Sequence, residues 1–127
     1  MIAAGVGFRR EISADEIEEA VRIAFRVFGL ALARLEIVAT ESGKAADPAF
    51  SEAARRLSVR LMSCSLEELE RVADRIITRS MAARKAKGVP SIAEAAALVA
   101  AGRNGRLLGA RVTSGWATCA IAIGDGR

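Results

Sequence analysis

Three times within residues 1–76 the chain passes from a short apolar run to a stretch whose apolar residues recur at helical spacing, and this alternation restricts the fold most. Residues 2–6 form a continuous apolar run ending in Gly5-Val6-Gly7, the pattern of a buried strand that enters a tight turn. Ser13-Ala-Asp-Glu16 has the spacing of a capping box, and Ile17, Ala20, Val21, Ala24, Phe25 and Phe28 then share one helical face until Gly29 ends it. Residues 35–40 read as a second strand and residues 41–47 as a loop. Pro48 opens a helix with Phe50, Ala53, Ala54 and Leu57 inward. Residues 59–64 alternate more than the other runs, as a strand near a sheet edge does. Ser65-Leu-Glu-Glu68 is a second capping box, followed by a stripe of Leu66, Leu69, Val72, Ala73 and Ile76.

Beyond this, Ser80 caps a brief helix up to Gly88, and Ser91-Ile-Ala-Glu94 is a third capping box. Its helix runs to about Ala101 with Ile92, Ala95, Ala96 and Val99 inward. Gly102 and Asn104-Gly105 break the chain, and residues 106–113 and 116–123 read as a hairpin joined by Ser114-Gly115. Strands that alternate with helices pair in parallel through right-handed crossovers. The expectation is a single α/β domain over residues 1–127: a three-layer α/β/α sandwich, with a mostly parallel sheet of about five strands and a C-terminal antiparallel hairpin. Ligands of open α/β sheets sit outside the carboxyl ends of the strands. Here that edge carries Gly7-Phe8-Arg9-Arg10, residues 41–47 and the Cys64-Ser65 turn.

Composition removes several classes of function. The chain has no histidine, hence no Ser-His-Asp triad and no His-ligated metal. Cys64 and Cys119 lie apart in apolar stretches without a CxxC partner, which favours reduced, buried thiols over a disulfide or metal site. No apolar run reaches the roughly 20 residues of a bilayer span. Met1-Ile-Ala-Ala-Gly5 lacks the basic start of a secretory signal, so a cytoplasmic location is expected, with no membrane partner. The net charge of +4 is unevenly distributed. Arg79, Arg84, Lys85, Lys87, Arg103, Arg106 and Arg111 are opposed over that stretch by Glu94 alone. Such a field attracts anions. With four Phe, one Trp and no basic–aromatic interleaving, base stacking on a nucleic acid is disfavoured.

Individual motifs carry two readings each. A dinucleotide fingerprint would need a third glycine where Arg10 stands, so Gly5 and Gly7 read first as a strand-to-loop turn. Arg9 and Arg10 are either bidentate partners for carboxylates or phosphates, or a solvated pair bridged to Glu11 or Glu41. The serines at 13, 65 and 91 are better helix caps than nucleophiles, for want of an activating base. Lys44 is a loop lysine or a ligand contact, and Glu94 is first a capping-box acid. The cluster of residues 79–87 is a solvated helix face or an anion site.

Taken in order, Gly5-Val6-Gly7-Phe8-Arg9-Arg10, residues 40–48 with Lys44, Ser80, Gly88-Val89-Pro90-Ser91-Ile92-Ala93-Glu94-Ala95-Ala96-Ala97-Leu98 and Thr118-Cys-Ala-Ile-Ala122 resemble one family. It comprises the CobE proteins of cobalamin biosynthesis and the C-terminal domain of CbiG. The family often has Glu where Asp47 stands, and a lysine where Arg111 is the nearest equivalent. CbiG carries additional N-terminal regions, so the expectation is the small CobE form or an excised domain. The resemblance implies a role in building the corrin ring, without a resident cofactor or metal. Its implied partner is a polycarboxylate tetrapyrrole, a precorrin or corrinoid intermediate, together with other corrin-pathway enzymes.

The expected ligand contacts are Gly5, Gly7, Phe8, Arg9, Arg10, Lys44, Arg79, Ser80 and Arg111, with Phe8 or Trp116 meeting the macrocycle face. The leading expectation is an auxiliary or carrier role. The alternative is a hydrolase that opens the lactone of a precorrin-5-type intermediate with release of acetaldehyde, as the resemblance to CbiG implies. Glu41 or Glu94 would then activate water.

Overall fold

Along the first strand, β1 (Ile2–Phe8), one parity carries Ile2, Ala4, Val6 and Phe8 and the other only Ala3, Gly5 and Gly7, and this gives the sheet two different faces. The computed structural model describes residues 1–78, 89 and 91–126. The further strands are β2 (Leu35–Glu41), β3 (Arg60–Cys64), β4 (Arg106–Leu107), β5 (Val112–Ser114) and β6 (Ala117–Ile123). They form one mixed sheet in the order β3-β2-β1-β6-β4, with β5 also paired to β6. Ile2, Ala4, Val6 and Phe8 pack with Val38, Cys119 and Ile121 against helices α1 (Ala14–Val27) and α3 (Pro48–Leu57). On the opposite face Ala3, Ile37, Ala39, Ala120 and Ala122 pack against α4 (Leu66–Arg71) and α5 (Ile92–Ala101). The three expected layers are present.

The second face is built from small residues on both sides. α5 buries Ala93, Ala95, Ala96, Ala97, Ala100 and Ala101 and lies directly on β1. A Cβ built on Gly5 would stand 1.9 Å from the Ala93 carbonyl oxygen and 2.4 Å from the Ala97 nitrogen. Gly5 is therefore buried beneath a helix and presents nothing to a ligand, which corrects its expected place among the contacts. The missing side chain permits helix–strand approach. α5 is also buried nearly all round, whereas the expected inward residues Ile92 and Val99 are its partly exposed ones. A helix apolar on every side gives no face to read.

β1, β2 and β3 run parallel, and β6 is antiparallel to β1 from Ile2↔Ile123 to Phe8↔Ala117. β3 is an edge, as its alternation suggests. α1 and α3 share one face, and after β3 the chain crosses to the other face and returns on the far side of β1. The direction of winding thus reverses between β1 and β6. That junction is where the crevice of an open α/β sheet is found.

Several local expectations are corrected. Residues 42–45 form a helical turn, α2 (Ser42–Ala45), between Glu41 and Asp47, which caps α3 by accepting from the Ala49 amide at 2.9 Å. α4 stops at Arg71 and the chain continues through a 3-10 turn, Ala73–Arg75. Leu69, Val72 and Ile76 are buried, but Leu66 at the start of the stripe is 47% exposed and Ala73 is only partly buried, so the stripe overstated both burial and helix length. The first arm of the hairpin is split: Leu107 pairs with Ala122 but Val112 with Cys119, so five steps on one side oppose three on the other. The extra residues leave the ladder at Gly109, where a Cβ would stand 2.7 Å from the Phe28 ring. The turn falls at Gly115-Trp116, one residue later than expected. No helix among the described residues is long and apolar enough to cross a membrane.

Candidate functional site

Antiparallel pairing of Phe8 with Ala117 sets the residue that follows β1 beside the residue that precedes β6. Those residues are Arg9 and Trp116, and the guanidinium carbon lies 4.7 Å from the indole ring centroid. Trp116 is 58% exposed, although large aromatic side chains are usually covered. Arg111 is carried to the same place by the extra residues between β4 and β5. With Thr113, Gly115, Ala117 and Thr118, these three side chains line a cleft of about 400 Å³. Gly7 is not among the lining residues; it lies next to one of them, Thr118, whose hydroxyl donates to the Gly7 carbonyl at 3.4 Å.

Arg10 does not share this cleft. It lines a smaller recess of about 180 Å³ with Glu11, Ile12, Glu16 and Trp116. Glu11, in the wall of this recess, has φ 67°, a left-handed conformation that turns the chain toward α1. The two arginines therefore reach different recesses that share Trp116 as a wall. Arg9, Arg10 and Arg111 form no ion pair among the described residues, so the bridge from the arginine pair to Glu11 or Glu41 is not made.

The other expected residues are placed as follows. Phe8 is 5% exposed and stacks on Phe50 with centroids 6.1 Å apart, so it belongs to the α1/α3 core and cannot meet a ligand. Its side is fixed by strand parity with Ile2, Ala4 and Val6. The Lys44 ammonium donates to the Phe8 carbonyl and lies 5.3 Å from the Phe8 ring centroid, which holds α2 against the end of β1. Glu41 is almost buried at the end of β2. Arg79 and Ser80 lie outside the described residues.

Glu94 is fully buried. One carboxylate oxygen accepts from the Ile77 and Thr78 amides at 2.7 and 3.0 Å, the other from the Arg111 amide at 3.0 Å. It has no surface for the water that a general base must activate, and it does not close its capping box. Ser91 accepts from the Glu94 amide at 3.3 Å without the return bond that Glu16 and Glu68 make in theirs. Cys119, on β6 under the cleft, has its thiol pushed up to about 12 by burial, which removes it as a nucleophile.

Thr113, Gly115 and Thr118 were not among the expected ligand contacts, although Gly115 was read as part of the hairpin turn and Thr118 opens the last segment of the resemblance; the available signal was their closeness to Trp116. A larger groove of about 670 Å³ lies at the opposite edge of the sheet, lined by Gly102, Arg103, Asp125 and Gly126. Its arginine is matched by an acid and it holds none of the expected contacts.

A three-layer α/β domain with a basic, tryptophan-walled crevice at its winding reversal is the class that the fold and site define. The chain belongs to the family described as Cobalamin synthesis G C-terminus, whose model matches residues 2–122. A curated relative, Protein CobE from Sinorhizobium sp, is 32% identical over 118 residues, covering 93% of this chain and 77% of the relative. The crystal structure of CobE, a protein from the cobalamin (vitamin B12) biosynthetic pathway, superposes with a TM-score of 0.91 at 29% identity, covering 100% of this chain and 92% of that one. Cobalamin biosynthesis protein chiG from Agrobacterium tumefaciens str. C58 superposes at 0.78 with 38% identity, covering 98% and 99%. A putative cobalamin biosynthesis protein G homolog from Sulfolobus solfataricus shares the fold at 22% identity and TM-score 0.71, this chain spanning 37% of its length. The chain is a cobalamin biosynthesis protein of the CobE/CbiG C-terminal type.

Proposed function

We propose that the protein binds a polycarboxylate tetrapyrrole intermediate of corrin synthesis in the β1/β6 crevice and acts as its carrier, handing it to another enzyme of the pathway. One observation carries this reading: Arg9, Arg111 and the largely exposed Trp116 line the same cleft. Corrin precursors are flat, apolar macrocycles rimmed with acetate and propionate. Guanidinium groups match a carboxylate rim in bidentate fashion, and an indole face suits the macrocycle. At about 400 Å³ the cleft falls at the small end of ligand sites, so it grips an edge and part of a face and leaves the rest accessible to a receiving enzyme. Arg10 meets carboxylates further round the rim from its own recess on Trp116.

The experiment is a visible-absorbance titration with uroporphyrin, in which every pyrrole bears an acetate and a propionate, and with pathway corrinoids. Uroporphyrin octamethyl ester serves as the uncharged control. Saturable one-to-one binding of the acids and not of the ester is expected. Arg9→Ala and Trp116→Ala should each weaken it about tenfold, the size of one lost charged hydrogen bond or aromatic contact. Phe8→Leu should leave affinity unchanged. Failure of the wild-type protein to bind any of these compounds overturns the reading. Acetaldehyde released with turnover from a lactone-bearing intermediate replaces the carrier role by hydrolysis.

A further inference from the structure

Burying a carboxylate is expensive unless every lone pair it loses to water is replaced. Glu94 is wholly buried, and its carboxylate partners among the described residues are main-chain amides, those of Ile77, Thr78 and Arg111. None of the three lies in a helix or strand ladder, so without Glu94 these donors would have no partner in regular structure. A carboxylate is the side chain suited to the task, being acceptor-only with two oxygens that can face two segments at once. The helix-capping duty that its position suggests is the one it leaves half done. One of the segments it holds brings Arg111 into the cleft wall.

We infer that Glu94 is a positioning residue: from the first turn of α5 it grips the Arg111 amide and so fixes the Arg111 guanidinium in the ligand cleft. The inference rests on the binding reading above. The Glu94→Gln variant separates the two grips. An amide has one acceptor oxygen, which the Ile77 and Thr78 pair takes. Its NH2 group then faces the Arg111 N–H, donor against donor, and the Arg111 side of the clasp opens while the volume of the side chain is kept.

The test combines amide hydrogen exchange with uroporphyrin affinity in the wild type, Glu94→Gln, Arg111→Ala and the double variant. In the wild type the Arg111 amide is expected to be protected like those of Ile77 and Thr78, although it belongs to no ladder. In Glu94→Gln it should exchange at least tenfold faster, the other two remaining protected. Affinity should fall about tenfold in each single variant and no further in the double, because both remove the same contact. Free exchange at Arg111 in the wild type overturns the inference and needs no variant to fold. So does wild-type affinity in Glu94→Gln, or losses that multiply in the double variant. A wild type that does not bind uroporphyrin or the corrinoids sinks the ligand reading and this one with it. A wild type that binds, beside an unaffected Glu94→Gln, sinks this one alone.

Discussion

At Gly5 one hydrogen in place of a methyl decides where α5 rests. The atoms a Cβ would strike belong to the backbone of the helix, so a side-chain rotation cannot relieve the contact. Gly5→Ala should therefore destabilise the protein by roughly 3 kcal/mol, the upper part of the range for overpacking. Gly43→Ala, with nothing within 4 Å of the new atom, should change stability by less than about 1 kcal/mol. Urea unfolding of the two variants checks this, and equal midpoints would refute the close packing. The same position marks how far the site was legible. Gly5 is visible in the sequence, but a glycine that admits a helix and one that admits a phosphate look alike there. Arg9 and Arg111 are found in one cleft, whereas Arg10, the next residue along, lines a separate recess, a divergence that adjacency in the sequence does not reveal. Phe8 was mistaken because residues 2–6 are apolar throughout, which hides the parity that sends its ring into the core.

Elements whose ends are marked by side chains were readable, and those bounded by tertiary contact were not. Ser13 and Ser65 both close reciprocal capping boxes as their spacing suggests. α3 begins at Pro48 behind Asp47 for the same local reason. By contrast the break between β4 and β5 depends on Phe28, some eighty positions upstream, meeting Gly109. α3 also carries a correctable flaw at its end: Ser58 closes it at φ 58°, ψ 42°, a left-handed conformation in which glycine is preferred. A side chain there costs about 1 kcal/mol, partly offset by the greater freedom of glycine in the unfolded chain. Ser58→Gly is expected to stabilise by about 0.5 kcal/mol and raise the melting temperature by roughly 2 °C. Calorimetry decides the matter, and a lower melting temperature would contradict the left-handed cap.

On the scale of the whole molecule, strand–helix alternation was enough for the parallel half of the sheet. It could not show on which side of β1 the returning chain would insert, since that depends on the small-residue face accepting α5 and on β6 pairing with β1 along its full length. The same insertion places Cys119 between Val6 and Val112 in the middle of the sheet, fully buried. Burial raises its thiol from the ordinary 9.0 to about 12, because the thiolate would lose its hydration. The sign follows by linkage. The folded form holds the proton more tightly than the unfolded one, so this contribution is whole below pH 9.0 and is lost as the pH rises toward about 12. Melting temperatures measured across that interval should fall less steeply for Cys119→Ala than for the wild type, since the variant has no thiol to ionise on unfolding. The lysines titrate alike in both proteins and cancel in the difference. Parallel curves would mean that the thiol is already solvated in the folded protein, and that β6 is not the interior strand on which the crevice depends.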